Sequence, residues 1–147
     1  MKIVMMAAAA ALLAAPATAQ EAGPAPLQVE IPELPTAVTD PTCGGRIGLA
    51  QQATCVMTTQ GAIGALVDAY SEAFSRQQWL AAGGEDNRVV YVRRRPGGGC
   101  DGFQMMAFSD PAREPAPGAP AFLAFASIPG DVCAAQPAAP ATPAPQQ

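Results

Sequence analysis

The chain has 147 residues, a net charge of −4 and no histidine. Imidazole catalysis and imidazole metal ligation are excluded, and so is a catalytic lysine in the mature chain, because the single lysine, Lys2, falls in a predicted leader. The acidic balance argues against nucleic acid or an anionic membrane surface as an electrostatic partner.

Residues 1–19 read as a secretory signal. Lys2 supplies the positive start, Ile3 to Ala15 an apolar run, and Ala17-Thr18-Ala19 a small-residue cleavage motif. The run is too short to span a hydrocarbon core of about 30 Å, so no membrane insertion is expected after signal removal. Cleavage would leave Gln20 first, not the cysteine of a lipoprotein. The expected location is secreted, in the bacterial periplasm. In that compartment the four cysteines, Cys43, Cys55, Cys100 and Cys133, read as two disulfides, since no Cys-x-x-Cys pair suggests a dithiol or a zinc site.

From residue 20 to 42 prolines recur every few positions, which predicts an extended lead. Leu27, Val29 and Ile31 alternate with the period of an edge strand and, with Leu34, offer side chains that could dock on the domain. Residues 134–147 contain no charge and no large apolar group, and are expected to be a disordered Pro/Ala tail. The folded unit is then expected at 43–133.

Within it, a weakly periodic helical stretch is predicted over Arg46 to Met57. An amphipathic helix is predicted over Gln60 to Ala82, with Ile63, Leu66, Val67, Tyr70 and Phe74 on one face. Thr58 or Thr59 is the expected N-cap, and Gly83-Gly84 the expected C-terminal turn. Three strands follow: Arg88 to Arg95, Gly102 to Ser109 and Ala121 to Ile128. The predicted fold class is α+β, one main amphipathic helix packed on a three-stranded antiparallel meander in a disulfide-stabilised two-layer sandwich. Pairing Ser109 with Ala121 places Cys100 opposite Gly130, three residues short of Cys133. That register favours a Cys100–Cys133 bridge and leaves Cys43–Cys55 as the local one.

Few features suggest chemistry. Arg93 and Arg95, on one face of a strand beside Gly97-Gly98-Gly99, could bind a phosphate or carboxylate; a solvated strand that protects an edge is the plainer alternative. The triple glycine lacks the Gly-Lys-Ser/Thr ending of a phosphate loop. Trp79 lies off the helix stripe and belongs either to the core or to an exposed binding patch. Arg113, on a loop stiffened by prolines, has the presentation used by protease inhibitors. Ser71, Ser75, Ser109 and Ser127 lack a base, and the carboxylate pairs Asp68/Glu72 and Glu85/Asp86 are nominal acid–base candidates. The expected function is a non-enzymatic binding or envelope structural protein that needs no cofactor or metal. Its expected partner is a protein or an anionic small ligand of the envelope. The alternatives are a hydrolase inhibitor presenting Arg113 and a small carboxylate-dependent hydrolase.

Overall fold

The structure, a computed structural model, describes residues 27–133. The predicted signal, the first seven residues of the lead and the Pro/Ala tail lie outside the described residues. Eight elements follow in order: β1 (Val38–Thr39), α1 (Ile47–Ala50), β2 (Thr54–Thr59), α2 (Ile63–Arg76), β3 (Leu80–Glu85), β4 (Arg88–Arg94), β5 (Cys100–Ser109) and β6 (Pro120–Ile128). The strands form one antiparallel sheet in the order β1-β2-β6-β5-β4-β3.

The expectation of one helix on a three-stranded meander is therefore wrong. The sheet has six strands, and two of the additional ones replace segments read as helix. Thr54–Thr59 begins inside the helical stretch predicted over 46–57 and runs two residues past it, and only Ile47–Ala50 is helical there. Its β-branched residues join the sheet interior, Thr54 opposite Phe125 and Thr59 opposite Pro120. Because β2 runs to Thr59, neither Thr58 nor Thr59 caps the helix. The N-cap is Ala62, without a side-chain bond.

At its other end α2 stops at Arg76, six residues before the predicted end. Gln78 takes φ +66°, the Trp79 N–H donates to the Phe74 carbonyl and the Gln78 N–H to the Ser75 carbonyl, each at 3.0 Å. This is a Schellman ending with glutamine in the left-handed position, not the Gly83-Gly84 turn expected. The released segment pairs with β4, Leu80 opposite Val92 and Glu85 opposite Arg88, with an irregularity between Ala81 and Gly83. Cross-strand pairing has overridden the helical preference of Leu-Ala-Ala.

The core lies between α2 and one face of the sheet. Leu66, Tyr70, Ala73 and Phe74 of α2 are buried. Phe74 makes edge contacts with Tyr91, Phe103 and Phe125, at 4.9 to 5.8 Å between ring centroids. Tyr91 stacks on Phe103 at 4.9 Å, and its hydroxyl is 2.7 Å from that of Ser71. The lead contributes as well. Val29 is buried, and Leu27, Ile31, Leu34 and Ala37 pack against the same cluster, although no strand forms over 27–31. Its backbone is fastened by Gln77, whose amide accepts from the Glu30 N–H (3.0 Å) and donates to the Glu30 carbonyl (2.7 Å).

Two disulfides join Cys43 to Cys55 and Cys100 to Cys133. The first sits on the sheet face away from α2, in a cluster with Ala124, Leu49, Ala53 and Phe108. The second closes a hook after β6. Asp131 accepts from the backbone N–H groups of Cys100 (2.8 Å) and Cys133 (3.0 Å). Val132 presses so closely on Gly102 that a Cβ there would stand 2.6 Å from it, so this position needs glycine. Such bonds belong to an oxidising compartment. Among the described residues no helix is long and apolar enough to cross a membrane.

Candidate binding groove

Prolines in the lead cannot donate into a sheet ladder, so the chain before β1 stands off from β2 instead of extending it. Leu34, Pro35, Thr36 and Ala37 form a turn closed by the Ala37 N–H on the Leu34 carbonyl at 3.0 Å, with proline in the second position that such turns favour. The chain then returns as β1, pairing Val38 with Met57 and Thr39 with Val56. β1 is short because Asp40-Pro41 follows. There the Asp40 carboxylate accepts from the Thr42 hydroxyl and the N–H groups of Thr42 and Gly44, bonds that hold its pKa below the usual value.

Between this looped lead, β1, β2 and the middle of α2 lies an open groove of about 780 Å³. Ile31, Leu34 and Val56 form apolar walls, with Tyr70, Thr39, Thr54 and Glu33 supplying polar groups. On β1, Thr39 shares the face of its partner Val56, while Val38, opposite Met57 and 62% exposed, stands at the rim. Burial pushes the Tyr70 phenol up, so it stays a neutral hydroxyl at physiological pH. The threonine hydroxyls of the groove have no histidine or mature-chain lysine to act as base. The arrangement suits binding an apolar molecule with a few hydrogen-bonding groups better than proton transfer.

The residues singled out from the sequence lie elsewhere. Trp79 and Arg93 are brought together: Trp79 is buried against Phe103, and the Arg93 guanidinium lies 4.3 Å over its ring. Arg93 also donates to the Gln28 carbonyl at 3.4 Å, tying the lead to β4. Arg95, just past β4, stands between Asp101 (3.6 Å) and Asp131 (3.8 Å), which fasten the β4–β5 turn to the C-terminal hook. An anion arriving at Arg95 meets these two carboxylates first. Arg113 is exposed on the loop between β5 and β6, 3.5 Å from Asp110, on a segment pinned by Gly61 and Gln60. Arg113 lines a recess with Met57 and Phe122, whereas Arg95 lines a different one with Asp101 and Gly102.

The groove residues were visible in the sequence only as docking candidates in the lead, Ile31 and Leu34, and as a core position, Tyr70. The turn signal Leu34-Pro35-Thr36-Ala37 ahead of Val38-Thr39 is what would have placed a return strand there. No protein-family model, no curated protein and no solved structure matches this chain.

Proposed function

We propose that the chain is a non-enzymatic binding protein of a secreted or periplasmic setting, and that it holds an apolar ligand in the groove between its proline-rich lead and the sheet. The observation that carries this reading is the groove itself: apolar walls, a neutral phenol and two hydroxyls, held off the sheet by backbone that cannot pair. The two disulfides support the oxidising location. Pre-set proline geometry lowers the ordering cost of the lead on binding.

The test is titration of the mature chain with a polarity-sensitive naphthalene sulfonate dye. Saturable one-site binding is expected, weakened tenfold or more by Thr39→Glu, an exposed change on the groove side of β1 that should leave the fold intact. Val90→Lys, on the opposite sheet face, should leave affinity unchanged. Equal dye affinity in the wild type and Thr39→Glu overturns the assignment.

A further inference from the structure

We propose that two copies of this chain pair antiparallel, edge to edge, through β3. The inference is independent of the groove, which lies across the sheet toward β1.

Among the described residues β3 is the outer strand on its side, bonded to β4 alone, and all six of its residues are exposed. An unpaired edge templates pairing with another chain unless proline, lysine, an inward charge, a bulge that twists it away or a covering element blunts it. The irregularity of β3 between Ala81 and Gly83 is such a bulge, which confines pairing to the short stretches on either side and keeps it weak. Leu80-Ala81-Ala82-Gly83-Gly84-Glu85 holds neither proline nor lysine. Its small residues let a second backbone approach, while Leu80 is left 66% exposed.

Charge selects a second copy as the occupant. The β3–β4 hairpin carries Glu85 and Asp86 at its turn and Arg93 and Arg94 at its far end, beyond the Leu80–Val92 pair. A two-fold axis through the middle of β3 lays the acidic turn of each copy beside the arginine end of the other, a self-complementary arrangement. Among the described residues neither Asp86 nor Arg94 enters an ion pair. The irregularity between Ala81 and Gly83 has a part in this. Leu80 and Glu85 are five apart and in a regular strand would face opposite ways. Here they stand opposite Val92 and Arg88, two residues of β4 on the same face, so two-fold pairing sets Leu80 beside Glu85 of the other copy on one side of the sheet.

That side already holds a groove of about 380 Å³, floored by Val90 and Val92 and walled by Ile128 and Val132. Pairing continues the apolar face across the two copies and covers Leu80. Six residues a side fall short of the roughly 1,200 Å² of a stable interface, so the dimer is weak and concentration-dependent.

Sedimentation velocity of the mature chain, from micromolar to near-millimolar concentration, tests this at low and at 0.5 M salt. A monomer–dimer equilibrium weakened by salt is expected. Ala82→Lys sets like charges against each other near the axis and should abolish dimers; Leu80→Glu, facing Glu85 of the other copy, serves if Ala82→Lys fails to fold. Arg94→Glu should raise the dissociation constant at least tenfold, and adding Asp86→Arg should restore it. A wild type that stays monomeric throughout overturns the proposal. So does a dimer that survives both edge substitutions, or a double variant that pairs no better than Arg94→Glu.

Discussion

Trp79 carries opposing contributions in one side chain. Its ring is 2% exposed, packs edge-on against Phe103 at 4.8 Å and lies beneath the Arg93 guanidinium, yet its buried indole N–H has no hydrogen-bond partner among the described residues. A buried donor left unpaired costs about 1–3 kcal/mol, which offsets part of what burying the ring contributes. Trp79→Phe keeps most of the apolar area and removes the orphan donor, so it should cost less than about 1.5 kcal/mol in denaturant melts. Trp79→Ala should cost about 3–5 kcal/mol. If the two substitutions cost the same, the indole is not filling its site as described. Sequence alone left Trp79 divided between core and patch, because its distance from the α2 stripe says only that the helix does not bury it. What buries it is the Schellman turn, which swings it from the helix axis onto Phe103.

The elements that could be read from the sequence are those whose side-chain period matches their final neighbours. Val89, Tyr91 and Arg93 alternate with Val90, Val92 and Arg94; Phe103 and Met105 alternate with Gln104 and Met106. β4, β5 and β6 follow from that period, with Ser109 opposite Ala121. β2 and β3 do not. The partner of β2 is β6, some 60 to 70 residues away, and nothing local in Thr54–Thr59 points to it. β3 is made of helix formers and glycines, and only its pairing with β4 makes it a strand. The groove was hidden for a related reason: it is enclosed by β1, two residues long, whose pairing partner lies past a disulfide loop. The end of α2 yields a prediction at this scale. Gln78 holds φ +66°, which disfavours any side chain with a Cβ by about 1–2 kcal/mol, and it is exposed. Gln78→Gly should therefore raise stability by about 0.5–1 kcal/mol in chemical denaturation. A loss of stability would mean that the glutamine side chain fixes the turn.

At the scale of the whole molecule, limited side-chain volume is compensated by covalent closure. The chain has 33 alanines against one tryptophan, two tyrosines and five phenylalanines, and its large residues are concentrated between α2 and the sheet. On a loop-entropy account the Cys100–Cys133 bridge, closing 33 residues, stabilises by about 4 kcal/mol, and Cys43–Cys55, closing 12, by about 3 kcal/mol. Replacing Cys100 and Cys133 together by alanine should lower stability more than replacing Cys43 and Cys55, as read by thermal melts of the two double variants. The opposite order would show that the local bridge holds the Gly44–Phe122 contact at the sheet's other end more firmly than chain entropy implies.

The strand order also sets what the α2 crossover has to span. β2 and β3, which it connects, are four antiparallel steps apart and so run parallel to one another. The chain leaving β2 must cross about 19 Å of sheet, at about 4.8 Å per strand, and also return along the strands to the end where β3 begins. The gap under the crossover is filled only by strands that come later in the chain, β4, β5 and β6. Until β6 is in place, β2 has no ladder partner among the described residues but the two residues of β1.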